Sequence, residues 1–277
     1  MQDIVLLTGA GQIGQAIIRR IGFGKKIIIL DKNQYSIDCC KQTLINAGYD
    51  VEGYILDISS KEQVINLLTQ ISKEGQISHF VNAAGVSPSQ ASIKQILQVD
   101  LYGTALLLQE VGKIIKHGGV GITISSQSGK RMEQLTKQQD EQLATTPVDE
   151  LLNLEILQEK NIKDTLHAYQ LAKRCNEKRV MYEANNWAKR GARLNSISPG
   201  IIVTPLAIDE FNGIRGDFYK NMFTNMPAHR PGTADEIGVF VEFIMGPNGS
   251  FITGSDFLID GGATASYYYG ELKPKKE

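Results

Sequence analysis

A chain of 277 residues with 42% apolar content is long enough to bury a sizeable core, and it fits one α/β domain. Its formal net charge of -1, with Lys and Arg scattered along the chain, leaves no electrostatic footprint for nucleic acid or an anionic membrane, so a small-molecule partner is expected. The three cysteines, Cys39 and Cys40 adjacent and Cys175 apart, form neither a disulfide framework nor a metal-ligand spacing, and they fit a reducing cytoplasm.

Met1 leads straight into strand-like sequence without a basic leader, and no stretch approaches the ~20 apolar residues of a membrane span. Short β-rich runs lie at Asp3 to Thr8, Lys26 to Leu30, Val51 to Leu56, Ile77 to Asn82, Val120 to Ser125, Ala192 to Ser198 and Asp256 to Asp260. Amphipathic segments at about 12–21, 33–47, 60–74, 92–116, 167–189 and 233–245 read as helices between them. This alternation predicts a single α/β domain, a doubly wound parallel sheet with helices on both faces.

Residues 131–166 break the rhythm. They are charged, Gln-rich and helix-prone, and they predict a helical insertion of two helices ahead of Tyr169. Within it "TTPVDELL" offers a Thr cap, a Pro at the first helical position and acids in the first turn. Leu151, Leu152, Leu154, Ile156 and Leu157 are too many apolar side chains for a solvated helix, so the insertion is expected to cover the active site or another subunit.

The first strand ends in a glycine turn, Gly9-Ala10-Gly11-Gln12-Ile13-Gly14, that opens a helix. Glycines there permit a tight turn and close backbone approach, and they aim a helix N-terminus at a pyrophosphate; a purely structural βα turn has the same look. Asp31 ends the second strand about 20 residues on, where an acid accepts hydrogen bonds from ribose hydroxyls and repels a 2′-phosphate. NAD(H) is therefore favoured over NADP(H), although Lys32 stands beside it and a strand-end turn acid is the plainer alternative. Asp57 and the small residues of "VNAAG" close the third and fourth strands, where ligands of open α/β sheets bind.

Tyr169 and Lys173 are four residues apart on one predicted helix and so reach the same small volume. An ordinary phenol titrates near pH 10, so a phenolate working near neutrality needs about 4 kcal/mol of stabilisation. A neighbouring ammonium and an oxidised nicotinamide ring act in that direction, which makes Tyr169 a candidate general acid/base for a carbonyl or alcohol. Most Tyr-x-x-x-Lys strings are surface helix, and only the glycine turn lifts this one above them.

In family order the chain carries "TGAGQIG", Asp31, "LDI", "NAAG", "ISSQSG", "YQLAK", "RLNSISPGIIVTP", "HRPGTADEIG" and "FITGSDFLIDGG". In these motifs it resembles a short-chain dehydrogenase/reductase over nearly all its length outside residues 131–166, which implies a Rossmann-type fold. The resemblance implies that Ser126 holds the substrate oxygen while Tyr169 transfers the proton. It also implies that Lys173 binds the nicotinamide ribose and Thr204 the carboxamide region. Ile58 matches the adenine contact, Asn82, Ala83 and Gly85 fall in the stretch beside the adenosine ribose, and Pro199, Gly200 and Ile202 match the loop beside the nicotinamide. Asp100 stands where the family usually has an Asn that orders a water next to the lysine, and it is expected to order that water or pair with Lys173. The glycine turn is one residue shorter than the family's main pattern, and Ser126 and Tyr169 are unusually far apart. The C-terminal half and the insertion lean towards the hydroxysteroid dehydrogenase/carbonyl reductase branch, where such an insertion is tied to subunit association, so a homodimer or homotetramer is expected.

The expected function is interconversion of a secondary alcohol and a ketone with NAD(H). Two alternatives stand beside it: a sugar-nucleotide epimerase or dehydratase, which lacks room for a substrate domain after Asp260, and a non-catalytic NAD(H)-sensing scaffold. Ile208 to Asn225 is expected to form a mobile flap over the substrate. The four histidines are scattered, and the C-terminal "SYYYGELKPKKE" reads as a surface tail whose tyrosines could line a subunit contact.

Overall fold

The computed structural model describes residues 1–213 and 216–274. Aliphatic and β-branched runs become seven parallel strands: β1 (Asp3–Thr8), β2 (Lys26–Asp31), β3 (Asp50–Ile55), β4 (Gln76–Asn82), β5 (Val120–Ile124), β6 (Arg193–Pro199) and β7 (Asp256–Ile259). They form one sheet in the order β3-β2-β1-β4-β5-β6-β7. The order reverses between β1 and β4, which opens a crevice at the carboxyl ends of these strands.

Side chains alternate across each strand and so feed two cores. On one face Ile4, Leu6, Ile28 and Phe80 pack under α3 (Lys61–Glu74), α5 (Thr104–Ile114) and α7 (Thr165–Ala188). On the other Val5, Leu7, Ile27 and Val81 pack under α1 (Gln12–Ile21), α2 (Gln34–Asn46) and α10 (Ala234–Met245). The expected strands and most expected helices stand within a residue or two of their predicted bounds. Among the described residues no helix is long and apolar enough to cross a membrane.

Two expectations need correction. The continuous helix expected over 92–116 is α4 (Ile93–Ile96), a π-helical turn Leu97–Gly103, and then α5. The wider turn keeps Leu97 and Leu101 in the core while it also buries Asp100. Of the two helices expected in 131–166, only α6 (Lys137–Thr145) is α-helical, started by a Thr136/Gln139 capping box. The remainder forms three 3₁₀ turns, Val148–Asn153, Glu155–Leu157 and Glu159–Asn161, separated by extended backbone at Leu154 and Gln158. The physical reason is spacing: Val148, Leu151, Leu157 and Ile162 all bury in the core of α3, α5 and α7, and a straight 3.6-residue helix cannot present all four. The Gln158 side-chain amide donates to the Leu152 and Leu154 carbonyls and that of Asn161 to the Glu155 carbonyl, bracing the turns.

The segment expected to be a flap contains α8 (Pro205–Asn212) and α9 (Gly216–Asn225); residues 214–215, in its centre, lie outside the described residues. A last helix, α11 (Ala263–Tyr269), follows β7, and residues 275–277 of the expected tail likewise lie outside.

Candidate active site

The glycine turn is built for close approach. Gly9 has φ +87°, and a Cβ there would stand 2.5 Å from the Ala84 nitrogen, so the turn lies directly on the end of β4. A Cβ on Gly14 would meet Leu7 at 2.7 Å, which fixes α1 against β1. Gly11 is different: a Cβ there meets nothing within 4 Å, so the protein itself does not require a glycine. Gly11 also caps α1 without any side-chain hydrogen bond, whereas α2, α3, α6, α7 and α10 are capped by Asn33, Ser60, Thr136, Asp164 and Thr233. The amides of Gln12 and Ile13 thus stand at an uncapped N-terminus beside open space, which fits a dinucleotide pyrophosphate.

Asp31, at the end of β2, accepts the Ala10 amide at 2.8 Å and the Asn33 amide at 2.8 Å, tying the glycine turn to the second strand. Lys32 turns away to Asp57, 2.9 Å distant. Partial burial pushes the Asp57 carboxyl up, but hydrogen bonds from Ser59 and Lys32 outweigh it and hold the group below the usual carboxylate range. Ile58 is buried, and Gly103 in the π-turn packs so tightly on it that a Cβ would lie 2.8 Å away.

Asn82 lies at the switch point, fully engaged inside the fold. Its Oδ1 accepts the Thr8 hydroxyl at 2.6 Å, and its Nδ2 donates to Thr104 and Thr123 at 3.2 and 3.1 Å, so one amide joins β1, β4, β5 and α5. Its side chain belongs to the scaffold, and the Ala83–Ala84 backbone beyond it lies against Gly9 of the glycine turn. Gly85 makes room for two charged side chains: a Cβ there would meet Asp100 Oδ1 at 2.5 Å and Lys173 Nζ at 3.4 Å.

Lys173 and Asp100 pair at 3.2 Å, and Lys173 Nζ also donates to the Ile124 carbonyl at 3.4 Å. Burial alone would discharge the Lys173 ammonium, but Asp100 outweighs it and the net displacement is upward. Burial pushes the Asp100 carboxyl up, opposed by Lys173 and by the Val86 amide that bonds both its oxygens. The ammonium lies 5.2 Å from the centre of the Tyr169 ring, one helical turn away. Tyr169 is half-buried, with its ring packed against the core of α3, α5 and α7.

Ser126 begins a 3₁₀ turn, Gln127–Lys130, directly after β5, and its Oγ accepts the Ser128 amide at 3.1 Å. Ser125 Oγ donates to the Lys173 carbonyl at 2.9 Å, which brings the serine turn onto the helix that carries Tyr169. Sequence reading passed over Ser125, the Val86 amide and the Ile124 carbonyl, since nothing in their local sequence signals these long-range bonds. On the far side Pro199 ends β6, Gly200 donates to Ile259 at 2.9 Å, and Ile202 bridges to Gly232. Thr204 Oγ1 accepts the Ala207 amide at 3.2 Å and starts α8. A groove of about 550 Å³ lies elsewhere, at the amino ends of the strands, lined by Arg20, Phe23, Lys25, His79 and Phe243; it gathers none of these residues.

Comparison with known proteins gives the family and the fold. The model of the family described as short chain dehydrogenase matches residues 3–137, and that described as enoyl-(acyl carrier protein) reductase matches residues 134–264. A short-chain dehydrogenase/reductase of Alternaria brassicicola is 36% identical over 265 residues, covering 95% of this chain and 96% of that protein. The D-threitol dehydrogenase of Mycolicibacterium smegmatis is 28% identical over 272 residues, covering 94% and 92%. The crystal structure of levodione reductase matches with a TM-score of 0.76 at 22% identity over 96% of this chain and 98% of that one, a likeness of fold.

Proposed function

The chain belongs to the short-chain dehydrogenase/reductase family, oxidoreductases acting on CH–OH or carbonyl groups, and on that premise we propose that it interconverts a secondary alcohol and a ketone with NAD(H). The observation that carries this reading is the buried ammonium of Lys173, locked by Asp100 and 5.2 Å from the Tyr169 ring. The ammonium and the phenol thus share one small, partly buried volume on α7. Tyr169 then gives its proton to the carbonyl oxygen in reduction and takes it back in oxidation. Ser126 holds that oxygen by its hydroxyl, and Asp100 keeps Lys173 charged and in place. When bound, the nicotinamide supplies the hydride for reduction or accepts it in oxidation.

The proposed cofactor contacts follow the strand ends. Gly9, Gly11, Gln12, Ile13 and Gly14 hold the pyrophosphate, Asp31 and Asp57 the adenosine side, and Ile58 the adenine. Asn82, Ala83 and Gly85 line the middle of the crevice by backbone, and Pro199, Gly200, Ile202 and Thr204 the nicotinamide end, with Tyr169 and Lys173 at its ribose. The preference for NAD(H) is supported by the Asp31 carboxylate, which repels a 2′-phosphate, and by the engagement of Lys32 with Asp57 at 2.9 Å. A cytoplasmic homo-oligomer completes the proposal: the three thiols are free, and the exposed Leu258 on the edge strand β7 would be covered by a second copy.

The test follows NADH and NADPH absorbance against a panel of ketones and alcohols that includes levodione and D-threitol, the compounds in the names of two similar proteins. Turnover with NADH, and at least about tenfold less with NADPH until Asp31 is changed to Ala, is the expected result. Tight NADH binding without turnover on any of them would favour the sensing scaffold instead.

A further inference from the structure

The turn after Ser126 is clamped from two sides. On the α7 side, a Cβ at Gly129 would lie 2.9 Å from the Arg174 nitrogen and 3.0 Å from the Lys173 carbonyl carbon, so the turn sits flush on the helix. Lys130 Nζ is held between Glu177 at 2.8 Å and Asp256 at 2.7 Å, and Gln170, next to Tyr169, donates to the Arg131 carbonyl at 3.4 Å. On the opposite side stands α11. The Tyr268 hydroxyl donates to the Lys130 carbonyl, and Arg131 Nε donates to Thr264 Oγ1 at 3.1 Å. The Arg131 guanidinium lies 5.6 Å above the Tyr267 ring, 3.8 Å from Asp260, and donates to Gln127.

The chain path carries any movement of these contacts to Ser126. The turn is closed by the Gly129 amide on the Ser126 carbonyl at 3.1 Å and the Arg131 amide on the Ser128 carbonyl at 3.2 Å. The same Ser128 donates its amide to Ser126 Oγ, so two hydrogen bonds through Ser128 link the Arg131 amide to that hydroxyl. Asp260 fixes the start of α11 by accepting the Gly262 amide at 2.9 Å and the Thr264 amide at 2.7 Å. Arg131 is only 13% exposed and pairs with the buried Asp260 carboxylate at 3.8 Å, so its guanidinium is held between α11 and the serine turn.

We propose that Arg131 and Tyr268 are positioning residues that hold Ser126 in its productive orientation through the turn between them. This rests on the assignment of Ser126 as the group that binds the substrate oxygen. A catalytic side chain needs placement to a fraction of an ångström, and its supporting contacts set that placement.

A double-mutant cycle tests it, with Tyr268→Phe and Ser126→Ala made singly and together. Tyr268→Phe removes one hydroxyl from a part-exposed ring, so Tm and NADH affinity are expected to stay as in the parent while kcat falls about tenfold. In the Ser126→Ala background the same change is expected to cost nothing further. Arg131→Lys, which keeps the charge and loses the Nε contact, is expected to behave alike. Undiminished turnover in Tyr268→Phe, or an equal loss with and without Ser126, would overturn the proposal while the role of Ser126 stands. Full activity of Ser126→Ala alone would overturn the role of Ser126 itself, and the positioning role with it.

Discussion

Lys173 and Asp100 face each other at 3.2 Å with side chains 5% and 0% exposed, so the proposed site is organised around a buried ion pair. Removing one member of such a pair strands a charge in a poorly solvated place, at a cost of about 3–5 kcal/mol. Asp100→Leu is therefore expected to lower the unfolding free energy measured by urea titration by that amount, and Lys173→Met added to it is expected to restore most of the loss. The Lys173 value lies above that of the unfolded chain, so its contribution is present at neutral pH and is lost only as pH rises beyond about 10.5. A single Asp100→Leu variant as stable as the parent would show that the pair contributes nothing to the fold.

The two glycines of the turn after β1 separate folding from binding. Gly11→Ala is expected to leave stability within about 0.5 kcal/mol, because φ is -73° and the added Cβ enters open space, while NADH affinity falls. Gly9→Ala forces a side chain onto φ +87° and into Ala84 and is expected to destabilise the fold itself. Thermal melts with and without NADH separate the two outcomes. Equal affinity in Gly11→Ala would remove the pyrophosphate from that turn.

His79 gives the fold an acid limit. Burial, and secondarily Lys25, lowers it from 6.5 to about 4. The unfolded chain binds a proton near 6.5 and the folded chain only near 4, so this stability is fully present above 6.5 and is lost as pH falls towards 4. The loss amounts to about 3 kcal/mol. Urea midpoints measured between pH 7 and pH 4 are expected to drop accordingly, and to drop less in His79→Gln. Identical slopes in the two proteins would assign the acid sensitivity to other groups.

The strands and the glycine turn were legible because each rests on a local rule: β-rich runs with turn residues at their ends, and glycines where backbone approaches backbone. The reach of Tyr169 to Lys173 followed from helical spacing alone. The π-turn at Leu97–Gly103 was not legible, since what it achieves is the burial of Asp100 against Lys173, residues 73 apart in the chain. The 3₁₀ turns of the insertion were hidden for a similar reason: Thr146, Pro147 and the acids signal a helix start, and the distant core that receives Leu151 and Leu157 decides otherwise. The bonds of α11 to Lys130 and Arg131 likewise join segments with no shared local pattern.

The central claim is that Tyr169 moves the proton. Tyr169→Phe keeps the ring in its packing and deletes the hydroxyl, so NADH binding is expected to match the parent while kcat on a ketone substrate falls about 10²–10⁴-fold. Turnover at the parent rate in Tyr169→Phe would contradict the account.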